Sequence, residues 1–303
     1  DGNLYYAKGA RHAKEALVPQ HGTIMRVSKD GQESEIVASG FRAPNGVLLN
    51  DDGSFISSDQ EGHWNPKNKI NWIKRYGFYG AMGAYHSPDQ NANDFELPIC
   101  WIHNKVDRSP SEQLWVKNES WGPLDGSLLS LSYGYGKVFN VLHEDVGAIK
   151  QGGIVQVPMK EFPTGVMRGR FHPNDNGLYV CGLFGWSSNK TFPGGFYRIR
   201  TTGKPLHIAT KLNALETGVL IGFSNPLDPE TAENPQSYNI ERWNYRRTPN
   251  YGSQDYRVSD GRKGHDKLYA TEVLLSDDGK SVFLKIPDMK PAMQMEIKYN
   301  IKS

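Results

Sequence analysis

Cysteine is scarce: the 303 residues hold only Cys100 and Cys181, which form no CxxC or CxxCH pair, so the chain carries no haem-attachment motif. Each follows strand-like residues, which reads as two buried free thiols, with a disulfide between them as the alternative. No window approaches the roughly 18 consecutive apolar residues that cross a bilayer, and Asp1 opens a strand-like run rather than a charged segment followed by an apolar one. No membrane span is expected. Charge of one sign is also lacking, since 35 Lys and Arg against 33 Asp and Glu leave +2. That balance disfavours nucleic acid or an anionic membrane surface as the main partner. No GxSxG, P-loop or strand-to-helix GxGxxG occurs, which argues against a nucleophile-elbow hydrolase, an NTPase and a nicotinamide enzyme.

Glycine is plentiful, 32 residues, and aromatics make up 11%, while long Ala/Glu/Leu/Lys stretches are nearly absent. Short β-branched or aromatic runs closed by Gly, Asn, Asp or Pro recur from Asn3–Lys8 to Phe196–Arg200, predicting many antiparallel strands. Ala10–Leu17, stopped by Pro19, reads as one short helix. Three segments share a plan of strand, tryptophan-bearing loop and second strand: Phe55–Trp64, Leu114–Trp121 and Tyr179–Trp186. A period near 60 residues predicts β-propeller blades with enlarged loops. The expected fold is all-β: a partial propeller of about four blades over residues 1–208, a fragment of a six- or seven-bladed ring, then an immunoglobulin-like β-sandwich over 209–303. The polar stretch Asn250–Lys267 reads as a long surface loop of that sandwich.

Loops joining the second and third strands of each blade, and those leading into the first, open on one face. On that register Arg42–Asn45 and Asp59–Lys67 converge, with Glu119–Asp125 and Trp186–Lys190 alongside. Trp64, Trp121 and Trp186, with Arg42, Asn45, Asn65 and Lys67, combine flat aromatic faces with planar polar groups, the chemistry of sugar recognition. Tryptophans that wedge blades together are the alternative. His63 has the ordinary pKa of a near-neutral base. Asp59 and Glu61, two residues apart, are a weak cation site or partners orienting His63, and solvated loop carboxylates are the plainer reading. Arg168 and Arg170 share a face of one strand and bind either structural carboxylates or a substrate carboxylate. Tyr76–Gly80 reads as a tight turn whose aromatics line the rim.

Several motifs resemble one family. Phe41–Gly46, Trp121-Gly-Pro123 with Leu129–Gly134, Gly165–Pro173 and Leu178–Trp186 are similar to the membrane-bound dehydrogenase proteins of planctomycete-type and Bacteroidota bacteria, whose propeller is related to glucose/sorbosone dehydrogenases. Phe223–Asp228 and Met289–Tyr299 resemble the sandwich that follows there. The resemblance implies a periplasmic or secreted protein that oxidises a sugar and passes electrons to a quinone or a cytochrome c module outside this chain. It also implies pyrroloquinoline quinone and calcium as cofactors. As an alternative, the fold class also resembles propeller lyases that remove rhamnose from glucuronate, where His63 or Tyr79 is the base and Arg42, Arg168 or Arg170 the cationic partners. A non-catalytic glycan-binding or scaffold protein is the third reading.

Overall fold

Strand-forming runs build six antiparallel sheets in the computed structural model, which describes residues 1–186 and 188–303. Leu4–Lys8 (β1), Thr23–Val27 (β2) and Ser34–Ser39 (β3) form the first sheet. Pro44–Leu49 (β4), Phe55–Asp59 (β5), Asn68–Ile73 (β6) and Cys100–Ile102 (β7) form the second. Pro110–Trp115 (β8), Leu128–Ser132 (β9), Val138–Val146 (β10) and Ile149–Gln156 (β11) form the third, and Arg168–Phe171 (β12), Leu178–Leu183 (β13) and Gly194–Ile199 (β14) the fourth. In each sheet the strands lie in chain order, and the first strands β1, β4, β8 and β12 are successive neighbours. This is the radial arrangement of propeller blades.

Burial follows position in the row. β5, inside a blade sandwiched between two others, is buried at every residue, whereas β14 in the last blade alternates between exposed and half-buried. A strand covered on both faces needs no polar alternation. Between the first and second blades the core is Ile24, Phe41, Phe55, Ile73 and Tyr79; between the second and third it is Ile56, Ile70, Leu128 and Val141; between the third and fourth it is Leu114, Leu131, Val166, Leu178 and Val180. Each such side chain contributes about 1.5–3 kcal/mol by leaving water. At Gly46, φ is +80° and a Cβ would come within 2.7 Å of Glu112 Cα, so only glycine lets β4 lie this close to β8.

Two further sheets follow. Ala209–Leu215 (β15), Gly218–Phe223 (β16), Glu272–Leu275 (β19) and Ser281–Lys285 (β20) make one, ordered β15-β16-β20-β19. Tyr238–Trp243 (β17), Asp266–Leu268 (β18) and Gln294–Tyr299 (β21) make the other, ordered β18-β17-β21. Val219, Ile221, Val282 and Leu284 of the first share a core with Tyr238, Ile240 and Leu268 of the second, so the pair is a β-sandwich.

Three sequence expectations change. Ala10–Leu17 is not helical: Arg11 and Lys14 form an isolated bridge around a turn in which His12 takes φ +57°, a left-handed value that ends a right-handed helix. Neither a disulfide nor two buried thiols is present, because both cysteines are free, Cys100 buried and Cys181 exposed. Residues 250–267 are not a loop of the sandwich surface alone. With 244–249 they form a strap that runs back onto the second blade, next to a cluster of Trp101, Trp243 and Tyr245.

Candidate functional site

The segment leading into β4 and the loop between β5 and β6 meet at one end of the second blade. Asp59, the last residue of β5, is fully buried, and its carboxylate accepts from the Arg42 amide at 3.0 Å and the Ala43 amide at 2.7 Å. Burial pushes this carboxyl's pKa up, against the pull of Lys69, its cross-strand partner. Lys69 is buried as well, donates to the Tyr79 carbonyl at 2.6 Å, and is brought down by burial to about 8. Two residues on, Glu61 pairs with Lys67 at 3.1 Å and accepts from the Asn104 amide group. Asn65, 1% exposed, donates to the Gln60 carbonyl at 2.7 Å and helps shape the loop.

The strap closes over this loop by main-chain bonds. The Trp64 amide donates to the Thr248 carbonyl at 2.8 Å, the Gly252 amide to the Gly62 carbonyl at 3.1 Å, and Lys67 Nζ to the Ser253 carbonyl at 2.9 Å. Arg247 reaches the carbonyls of Gly80, Ala92 and Trp64, and burial lowers its pKa to about 10. Tyr251 lies over the Arg42 guanidinium, 5.3 Å from the ring centroid, and meets the His63 ring edge-on at 5.6 Å. Tyr251 as a residue remains 56% exposed. His63 and Trp64 are half-buried, and Trp64 sits at φ +62°. Burial first, then the charge of Arg42, lowers the His63 pKa, which keeps the imidazole neutral at neutral pH. At Gly62 a Cβ would stand 2.2 Å from Arg42 Nε. The missing side chain is what lets the guanidinium lie there.

A second group faces the axis on the inner strands. Arg168 Nη1 donates to Asn45 Oδ1 at 2.8 Å, and Arg170 pairs with Glu112 at 2.8 Å while staying 75% exposed. The structural-carboxylate reading of Arg170 thus has its partner. Arg168 binds an amide instead.

The remaining expected residues lie elsewhere. Glu119–Leu124 is a 3-10 turn between β8 and β9, at the opposite end of its blade from the loop that follows β9, so Trp121 does not join the rim. It is 5% exposed, bonds the Asn176 carbonyl at 2.8 Å and packs edge-on against Phe171. This is the blade-wedging role. Trp186, in the loop after β13, lies at the same end of its blade as the β5–β6 loop and is 76% exposed; its amide donates to the Tyr133 hydroxyl at 3.0 Å. Ser187 beside it lies outside the described residues. Tyr79 is fully buried between the first two blades, stacked on Phe41 at 4.8 Å, with its hydroxyl donating to the Trp72 carbonyl at 2.9 Å and accepting from the Lys74 amide at 2.8 Å. Burial pushes its pKa well up. A tyrosine so held is not a base, and Tyr76, 71% exposed, bonds Glu35 at 2.9 Å instead.

Sequence reasoning missed His12, Asn104, Arg247 and Tyr251. The run Trp243-Asn-Tyr-Arg-Arg-Thr-Pro-Asn-Tyr251 carried a signal: two arginines among aromatics suit an interface better than a solvated loop.

No family model matches the chain, and no curated protein matches it. Several solved structures are similar. The apo-form of a soluble aldose sugar dehydrogenase from Escherichia coli is 16% identical over 65% of this chain and 60% of its own length, with a TM-score of 0.47. A glucose dehydrogenase from Thermus thermophilus is 15% identical over 65% of this chain and 62% of its own, at 0.48. An aldose sugar dehydrogenase from Streptomyces coelicolor, in its pyrroloquinoline-quinone-bound form, is 16% identical over 59% and 52%, at 0.42. The chain thus spans about 60% of the length of the first of these. Its own sheet order, rather than these likenesses, carries the fold assignment.

Calcium takes six to eight oxygen ligands. Among the described residues no three His, Cys, Asp or Glu side chains gather to hold a metal, and Asp59 and Glu61 are each engaged by different amides and amines. The strap lies directly on Gly62 and His63. The described residues thus offer no acidic cluster for calcium, and no step is routed through the quinone and calcium pair.

Proposed function

We propose that the chain is a carbohydrate-recognising β-propeller working outside the cytoplasm, with blades over residues 1–208 and an immunoglobulin-like sandwich over 209–303 whose strap completes the binding face. The observation that carries this reading is the placement of Tyr251. The residue is more than half exposed, lies over the Arg42 guanidinium and meets the His63 ring edge-on, while the neighbouring Trp64 is tied to the strap through its amide. A flat aromatic face ringed by donors suits a pyranose, whose C–H face packs on the ring while its hydroxyls meet the polar groups. Trp186 offers a second open indole on the loop after β13. No oxidative step is assigned to this chain, because the described residues that meet at this site carry no acidic cluster for the implied calcium.

Titration with a panel of neutral and acidic oligosaccharides, followed by intrinsic fluorescence, tests the reading. Saturable binding that weakens about tenfold in Tyr251→Ala and in Trp64→Ala is expected, the scale of one lost aromatic contact. Absence of binding across the panel overturns it.

A further inference from the structure

Buried cations around the strap outnumber buried carboxylates. Arg42 is 6% exposed and Lys69 2%, and the charge of Arg247 bears on Lys69 from the strap side. Asp59 is the single carboxylate among them, since Glu61 is matched by Lys67. Arg247 spends its donors on carbonyl oxygens, which satisfy hydrogen bonds without cancelling charge. A buried cation without a counter-charge is costly. One carboxylate facing two buried cations and the half-buried Arg247 leaves the region short of negative charge.

The orphaned polar atoms point to where that charge belongs. A guanidinium has five N–H donors, yet the Arg42 side chain has one hydrogen-bond partner among the described residues, His12 Nδ1 at 2.9 Å. Its Nε is buried with no partner, and so is Nδ1 of the neighbouring His63. Arg42 can only donate, so His12 Nδ1 must accept, and the neutral His12 ring carries its proton on the other nitrogen. His12 is exposed, at φ +57°, a strained backbone value of the kind that collects at ligand sites. Nε of Arg42 and Nδ1 of His63 are thus two unpartnered atoms on the two side chains that meet the Tyr251 ring, and His12, bonded to Arg42, brings a further ring nitrogen, with an excess of positive charge behind them.

We infer that this cluster takes a carboxylate, and that the sugar bound on Tyr251 is a uronic acid whose acid group seats on Arg42. The inference rests on the carbohydrate reading above. A carboxylate matches the planar guanidinium better than a hydroxyl does, and charge-assisted bonds are about twice as strong as neutral ones. Arg168 and Arg170 are not needed, because each already has a partner.

The test compares oligosaccharides containing glucuronate or galacturonate with their carboxyl-reduced, neutral counterparts by calorimetry. Acetate serves as the sugar-free control. The acidic form should bind at least about tenfold more tightly, with a preference that shrinks as salt rises. Arg42→Gln should erase that preference, and His12→Gln, at an exposed position, should reduce it. Thermal melting of both variants keeps misfolding apart from lost binding. Equal affinity for acidic and reduced sugars, or an acid preference that survives both substitutions, overturns the inference and leaves the carbohydrate reading standing. Acetate binding without any sugar binding overturns the carbohydrate reading instead.

Discussion

His265 lies flat on Trp243, with ring centroids 3.9 Å apart and planes 10° from parallel. Its two nitrogens bridge Glu241 at 2.7 Å and Asp255 at 2.9 Å, and His103, just beyond β7, reaches the same Asp255 oxygen at 3.2 Å. The latch therefore joins strap, sandwich and propeller through one carboxylate. Burial alone would lower the His265 pKa, but bonds to Glu241 and Asp255 outweigh it and the net shift is upward. Burial would raise Asp255, yet the two histidines, with Lys67 behind them, bring it down to about 2. His265 thus stabilises fully below the ordinary histidine value of about 6.5 and loses that contribution as pH rises through its raised value. Asp255 stabilises fully above about 3.9 and loses its contribution as pH falls toward 2. The strap should be held best between about pH 4 and 6.5. Amide-exchange protection of Trp64 and Gly252, corrected for intrinsic rates, should fall as pH rises above about 6.5, and Asp255→Asn should flatten that fall.

Trp121 and Trp186 should behave oppositely on substitution. Trp121→Ala removes a buried indole, its bond to Asn176 and its contact with Phe171, which should cost about 3–5 kcal/mol of stability. Trp186→Ala, at an exposed site, should change stability by less than about 0.5 kcal/mol. Chemical denaturation of both variants checks this, and equal losses would mean that Trp186 is packed in solution.

These two tryptophans also mark what was legible beforehand. All fourteen strand runs read in the propeller region fall on β1 to β14 with shifted ends, because apolar alternation and turn residues are local signals. The place of Leu114–Trp121 in its blade was not legible. β8 begins with Pro110 and the buried polar Ser111 and Glu112, a run that looks like a loop; Ser111 is satisfied by the carbonyls of Leu131 and Val166, and Glu112 by the Gly169 amide and Arg170. Reading β8 as a second strand placed Trp121 at the wrong end. The strap was hidden for a different reason, since Lys67 and Ser253 meet across 186 residues of sequence and no periodicity reports such a contact. The pairing of Arg42 with Asp59 was legible as two loops converging, but the cation excess around it needed the fold.

Gly62→Ala should separate folding from recognition. Gly62 has no positive φ, so alanine fits its backbone, but the new Cβ would stand 2.2 Å from Arg42 Nε. The guanidinium is the flexible end of a side chain and can swing away. Melting temperature should therefore shift by only a few degrees, while preference for acidic over carboxyl-reduced sugar should fall toward that of Arg42→Gln. Unchanged preference would show that Arg42 need not rest on Gly62.

The two thiols should differ sharply in reactivity. Cys100 is buried where β6 pairs with β7, and desolvation pushes its pKa up to about 12, so at pH 8 almost none is thiolate. Cys181 is exposed on β13, across from Arg168 on one side and Phe196 on the other. Iodoacetamide should add a single group to the native protein, at Cys181, and a second only after unfolding, as read by intact mass. Because Arg168 faces Cys181 across the sheet and holds Asn45, the adduct also probes the axis: sugar binding on Tyr251 should survive labelling if the seat is Arg42. Loss of binding on labelling would move the seat to the Arg168 face.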